Sequence, residues 1–446
     1  MVAPSKVFTS PLNCYHCSQS ILHPGMGCIR YFIDNILHHG LSGLKYFSPL
    51  LITPLVMKYK MMNRELFLST LKYYLQTVCW GSMATSSVFL MICCLRNYLG
   101  NFRIYTTLFV PTVLGLQFCW MFPARVMKLF TTATSQATLE GLLRQNSNIF
   151  THLILHSPVA QTILFMLNSA IILHYKRKNI YKDYWFIQPY EQFTNPTTTA
   201  GKGEQEPLSN DETKGPETKG QYHGKCKTKC DHTNLTCRKF LLDGMKSYLV
   251  YGIPLDMLAM LIRGKIPRGT QGLTQKIIEK FKTFRPNMTG FFISYVGIYR
   301  LSSCLLRKYY SHLSLDLQHV LSAFLGGFSY MCVKRVNFIS FSLVLSTQLL
   351  WQQLCSSIKT SKTGRKPNLA LLLMKNVPMS QIIFSLNGGY LVHNYIINYH
   401  LVSTLARGFL DALTCNRIKK MRETLVNNDI HTLINIAESN TIKKFL

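Results

Sequence analysis

The amino-acid sequence predicts an all-α, polytopic membrane helical bundle built from two homologous modules of four to five helices each. Three observations carry that expectation. Runs nearly free of charge recur along the 446 residues, Lys and Arg gather at their ends, and one set of markers occurs twice in the same order. Only 15% of residues are charged, against about 25% in ordinary soluble proteins, while 48% are hydrophobic. A polar disordered chain is excluded by that apolar content. A small disulfide scaffold is excluded by having only 14 Cys in so long a chain.

The N-terminal segment, residues 1–40, contains Cys14, Cys17, His23 and Cys28. It has no apolar stretch long enough for a cleavable signal, so internal segments are expected to direct targeting. The first membrane module, 41–188, holds Tyr73 to Leu95, Ile104 to Phe122 and Pro158 to Leu173, with a weaker run from Leu41 to Met57. Such runs approach the roughly 20 residues needed to cross hydrocarbon. Lys58, Lys60, Arg64, Arg96, Arg103 and Lys176 to Lys178 flank them, as suits headgroups and helix ends.

Residues 189–224 form a flexible polar linker, rich in Thr, Pro, Gly, Lys and Glu and almost without apolar side chains. A second Cys/His segment, 225–246, carries Cys230, His232 and Cys237. The second membrane module, 247–399, contains Asn287 to Leu306, Leu317 to Val333, Phe338 to Leu354 and Pro378 to Ile397, with a weaker run from Ser247 to Ile262. The basic amphipathic tail, 400–446, has Leu401, Leu405, Phe409 and Leu413 at helical spacing and is expected on the membrane surface or in solution.

The duplication rests on collinear matches. His23 and Cys28 correspond to His232 and Cys237, Asp34 to Asp243, Cys94 to Cys304, and Arg125-Val126 to Arg335-Val336, at an offset of 209 or 210. Pro158 and Gln161 then match Pro378 and Gln381, and His174 matches His393, about ten residues later. An insertion in the basic loop near Lys359 to Pro367 accounts for the increase.

Several residues stand out chemically. Cys14, Cys17, His23, Cys28, Cys230, His232 and Cys237 are candidate zinc ligands, because Cys and His are the donors a tetrahedral zinc site takes. Disulfide pairing and unmetallated or acylated thiols are the alternatives, and the spacings differ between the two groups. No cofactor besides such a zinc is expected. Arg300 and Asp256 are charges inside apolar runs, a costly placement that marks either function or pairing with a neighbouring helix. Glu140 is expected on an amphipathic surface. Small residues at Gly81, Ser82, Ala84, Ser86 and Ser87, Gly290 and Gly297, Gly326 and Gly327, and Gly388 and Gly389 are expected to let helices approach closely.

Nucleotide-binding, zinc-protease and hydrolase signatures are absent, so no catalytic residue is assigned and a non-enzymatic role is expected. The 49 Lys and Arg outnumber the 19 Asp and Glu, giving a net charge of +30, yet they are scattered among the flanks. That pattern argues against nucleic acid. Anionic membrane lipid is the better partner, each nearby Lys or Arg contributing about 1 kcal/mol. Lys443-Lys444-Phe-Leu has the form of an endoplasmic-reticulum retrieval signal.

Asn13-Cys14-Tyr15, His23-Pro24, Cys28, the second Cys/His segment, and Gly297-Ile-Tyr-Arg300 through Ala323-Phe-Leu-Gly-Gly327 together resemble the transmembrane protein 135 family, a peroxisomal membrane protein family. The second-module helices are more remotely similar to mitochondrial inner-membrane translocase pore subunits. The family resemblance implies a multi-pass protein of mitochondrial and peroxisomal membranes with no catalytic centre. It also implies a part in the balance of mitochondrial fission and fusion, a dynamin-related fission GTPase as partner, and peroxisomal lipid handling. Where the family has Lys after Ile-Tyr this chain has Arg300, and the Cys14/Cys17 pair and the linker depart from the pattern. A transporter or channel for a small solute or lipid, with its site at the interface of two repeats, is the competing expectation.

Overall fold

A computed structural model describes residues 23, 25–57, 63–100, 108–145, 148–181, 185–189, 236–263, 286–360 and 378–425. All regular structure among them is helical. In chain order the helices are α1 (Cys28–Tyr46), α2 (Ser48–Met57), α3 (Arg64–Leu99), α4 (Val110–Gly115), α5 (Ala124–Gln145), α6 (Ile149–His156) and α7 (Pro158–Arg177). They continue as α8 (Cys237–Arg263), α9 (Asn287–Tyr309), α10 (Leu315–Gly326), α11 (Val336–Thr360), α12 (Met379–Ile397), α13 (Thr404–Leu413) and α14 (Arg417–Leu425). Short 3-10 turns, Leu116–Met121 and Gly327–Cys332, continue α4 and α10.

Local chemistry sets the ends. Asn63 caps α3 by accepting from the Leu66 amide at 2.8 Å, and Gly100 closes it in the left-handed region at φ 70°, where a side chain would strain. Ser157, Ser314 and Ser403 cap α7, α10 and α13 in the same manner as Asn63.

Among the described residues, three helices are long and apolar enough to cross a membrane: α3, α7 and α9. Three other apolar runs of the sequence are interrupted, whereas those from Ser247 to Ile262, Phe338 to Leu354 and Pro378 to Ile397 lie in the continuous helices α8, α11 and α12. The run from Leu41 to Met57 breaks at Phe47. The described part of Ile104 to Phe122 changes from α to 3-10 after Gly115, and Leu317 to Val333 does so after Gly326. At six residues each, α4 and its 3-10 turn together rise about 21 Å, short of the roughly 30 Å hydrocarbon core.

The chain forms two compact units, residues 1–155 with 354–446, and 156–353. In the first, α3 packs on α1, α2 and α4, while α12 packs on α4 and α5. The described part of the tail, expected on the membrane surface or in solution, packs here as α13 and α14: Ile418 and Met421 enter the core, and Arg417 bonds Asp34 of α1 at 2.8 Å. In the second unit, α9 packs on α8 and α10, and α7 packs on α10. Phe165, Trp185, Phe186, Phe291, Tyr295 and Tyr330 form its aromatic centre. These units differ from the segments 41–188 and 247–399, because α7 lies in the second unit and α12 in the first.

Two helices, α1 and α7, bury polar residues while exposing apolar ones. On α1, Ile29, Ile33, Leu37 and Leu41 form an exposed stripe (Ile29 is 74% exposed), whereas Asn35 on the opposite face is 0% exposed. On α7, Val159, Ile163 and Leu167 are exposed while Gln161, Asn168 and Ser169 are buried. A water-soluble bundle has the reverse arrangement. Glu140 follows the inward rule and corrects the surface expectation: it is 1% exposed, receives a hydrogen bond from Gln136 Nε2 at 3.2 Å, and burial raises its pKa.

Candidate functional site

The first unit encloses a cavity of about 350 Å³, within the size range of small-molecule sites. Helices α3, α4, α5, α12, α13 and α14 line it, through side chains such as Val88, Ile92, Leu116, Phe384, Leu391 and Leu410. The exposed liners Leu129 and Leu405 mark its open side between α5 and α13. Among the described residues no ionisable side chain lines it. The polar side chains among the described liners are four threonines, and each hydroxyl donates to the carbonyl four residues earlier: Thr85 to Gly81, Thr112 to Leu108, Thr134 to Phe130 and Thr414 to Leu410, at 2.6 to 2.8 Å. The wall therefore spends its hydroxyl protons internally. A polar ligand would enter without compensating donors, at a desolvation cost. An aliphatic ligand loses nothing.

Glycine shapes this wall. A Cβ built on Gly388 of α12 would lie 2.3 Å from Leu116 Cδ1, and one on Gly115 would lie 2.5 Å from the Val88 backbone nitrogen. The carbonyl released where α4 turns into 3-10 at Gly115 is taken up by Ser87 Oγ at 2.7 Å.

Among the predicted ligands, His23 and Cys28 come together and are joined by Cys93 of α3; the three donor atoms lie within 4.8 Å of one another. Cys14, Cys17, Cys230 and His232 lie outside the described residues. Cys237 is exposed at the start of α8. Cys93 escaped sequence reasoning because it sits within an apolar run, 65 residues beyond Cys28. The one available signal was the pair Cys93-Cys94, whose counterpart at an offset of 210 is Ser303-Cys304.

The two charges that fall inside apolar runs of the sequence have separate partners. Asp256 of α8 accepts from the Met288 amide at 3.1 Å and from the Thr289 amide and hydroxyl at 2.7 Å each. It thus caps α9 from a neighbouring helix, supplying negative charge where the first turn presents unpaired N–H groups. Arg300 donates from Nη1 to the Phe240 carbonyl at 2.6 Å, and its guanidinium lies 4.3 Å from the Phe240 ring centroid. Gly244 leaves room for it, since a Cβ there would come within 2.5 Å of the guanidinium. Both arrangements clamp α8 onto α9.

A directed hydrogen-bond chain crosses the second unit. Trp185 Nε1 donates to Tyr295 Oη at 3.0 Å, Tyr295 donates to Ser169, and Ser169 donates to the Ala323 carbonyl at 2.8 Å. Asn168 links to Ser342 and Ser346 of α11 at 3.2 and 2.7 Å. These contacts join helices through polar groups that lipid cannot satisfy.

In the first unit, His39 Nδ1 lies 3.0 Å from Ser86 Oγ. Burial, reinforced by the positive charge of Arg417, pushes the His39 imidazole down to about 4, from an unfolded value near 6.5. The folded state therefore binds fewer protons between these values. The His39 contribution is complete above about pH 6.5 and is lost as pH falls toward 4, for a total of about 3 kcal/mol. Thermal unfolding of the detergent-solubilised chain from pH 7.5 to 4 is expected to show this loss, and His39→Gln to reduce the slope.

Compared with models of protein families, with curated proteins and with solved structures, the chain matches none.

Proposed function

We propose that this chain is a non-enzymatic, multi-span organelle-membrane protein that holds an apolar lipid in its first unit. The observation that carries this reading is the cavity wall, in which no charge is present and the four hydroxyl donors are already committed. Outward apolar faces on α1 and α7 and the inward polar residues support placement in lipid. The resemblance to the transmembrane protein 135 family supports mitochondrial and peroxisomal membranes and, through lipid handling there, an influence on fission and fusion by way of a dynamin-related GTPase.

The two-repeat reading belongs to the same proposal. Its support is the order of elements: α3, the broken α4, α5 and the Pro-headed α7 are followed by α9, the broken α10, α11 and α12, with breaks at Gly115 and Gly326. On this reading the cavity lies where helices of the first repeat meet the last helices of the second.

The chain purified in lipid nanodiscs and extracted for mass spectrometry is expected to retain a fatty-acyl or sterol lipid at close to one per chain. Ala133→Trp, which places a large ring at the exposed side of the cavity, is expected to reduce that retention about tenfold or more. Equal retention in this variant would overturn the reading. Imaging of a fluorescent fusion against mitochondrial, peroxisomal and reticular markers tests the organelle assignment separately.

A transporter is the second reading. The observation favouring it is the pair of glycine-interrupted helices, α4 and α10, since discontinuous helices in corresponding halves point to transporter sites. Lipid or solute flux into liposomes, lost in Ala133→Trp, would favour it over static binding.

A further inference from the structure

We infer that His23, Cys28 and Cys93 form a zinc site that fastens the segment leading into α1 to the long helix α3. Their ligand atoms, Nε2 of the histidine and the two Sγ atoms, already converge. In a tetrahedral zinc site with Zn–N near 2.0 Å and Zn–S near 2.3 Å, neighbouring donors stand about 3.5 to 3.8 Å apart. His23 Nε2 and Cys93 Sγ are 3.3 Å apart, and the largest separation in the set stays within 4.8 Å.

The tautomer of His23 is set for this task. Its Nδ1 lies 2.7 Å from the Met26 carbonyl oxygen, which can only accept, so Nδ1 carries the proton. Nε2 is then left with its lone pair directed at Cys93 Sγ. A histidine ligand held by a backbone carbonyl through its other nitrogen is the usual outer-shell arrangement of metal sites. The Tyr31 ring packs beside the imidazole, with centroids 4.8 Å apart.

Burial and charge select the ion. His23 is 0% and Cys93 1% exposed, whereas Cys28 is half-buried. A charged group in such a place is costly unless it is neutralised. Zn²⁺ displaces two thiol protons on binding, and its two positive charges balance two thiolates, leaving a neutral centre. Cu⁺ with the same ligands would leave a net negative charge. The half-buried Cys28 side leaves a fourth position for a solvent water. Nothing in the lipid reading requires this site, since the cavity and the metal donors share no residue.

The test uses the full chain, produced with zinc in the medium and purified in detergent without chelator. Elemental analysis is expected to give about one zinc per chain, falling at least fivefold in His23→Ala and in Cys93→Ser. Cys237→Ser and Cys94→Ser, which change exposed thiols outside the cluster, are expected to keep the metal. Replacing zinc by Co²⁺ in the wild-type chain is expected to produce a thiolate-to-cobalt charge-transfer band with the visible pattern of tetrahedral cobalt. That spectrum needs no variant to fold. A wild-type chain without stoichiometric zinc and without the cobalt spectrum would overturn the inference and leave a hydrogen-bonded Cys–His pair. Stoichiometric copper would overturn the assignment to zinc, as would full zinc retention in Cys93→Ser.

Discussion

Asp256→Ala is expected to destabilise the protein by about 3 kcal/mol or more, the largest single effect of any charged position here. The carboxylate is 5% exposed and accepts three hydrogen bonds at the start of α9. Removal strands two backbone amides and the Thr289 hydroxyl in a buried position. Asp256→Asn retains an acceptor oxygen without the charge, so about 1 kcal/mol is expected to be lost. Thermal unfolding of the detergent-solubilised chain distinguishes the two. Equal stability of wild type and Asp256→Ala would mean that the cap contributes nothing, and that the charge is kept for another purpose.

Gly115→Ala and Gly327→Ala are each expected to cost about 2 to 3 kcal/mol through overpacking. A methyl on Gly115 would sit 2.5 Å from the Val88 backbone nitrogen, and one on Gly327 would sit 2.6 Å from Met166 Cα. Both obstacles are backbone, so no rotamer change relieves them; a helix has to move. Gly408→Ala provides the comparison, because its added methyl would meet no atom within 4 Å. This variant is expected to match wild type or exceed it slightly, as alanine is favoured over glycine in a helix. Loss of stability equal to that of Gly115→Ala would show that the close helix approach is not the cause.

Much of the local architecture was legible in one dimension. Long charge-free runs bounded by Arg and Lys marked α3, α7 and α9, since hydrocarbon length and the hydration of charged groups act on consecutive residues. The same reading singled out Asp256 and Arg300 as exceptional. It gave no partner for either, because the Thr289 amide and the Phe240 carbonyl are ordinary backbone groups with no sequence signature. The tail showed its amphipathic spacing but not its destination. Asp34 and Tyr31 of α1 hold Arg417 from more than 380 residues away, and Ile418 enters the core that includes Tyr31.

Glu140 failed for a related reason. Single charges among Thr, Gln and Arg on α5 have the pattern of a solvated helix face, and only packing against α12 puts that face inside. The apolar runs around Gly115 and Gly326 were read as continuous, although each changes to a 3-10 turn. Glycine permits that change without requiring it; the Ser87 hydroxyl that accommodates the freed carbonyl at Gly115 comes from another helix.

Sequence by itself determined the helical class, the three span-length apolar helices and the pairing of His23 with Cys28 in one short segment, because hydropathy, charge and short spacings are properties of neighbouring residues. Tertiary structure alone decided that Cys93 completes the donor set, that α7 joins Ser342 and Ser346 of α11, and that α12 to α14 close a cavity over α3, α4 and α5. Those outcomes depend on which buried polar group finds its acceptor and which glycine admits a backbone. Both are matters of shape between segments far apart in the chain, and no local pattern encodes them.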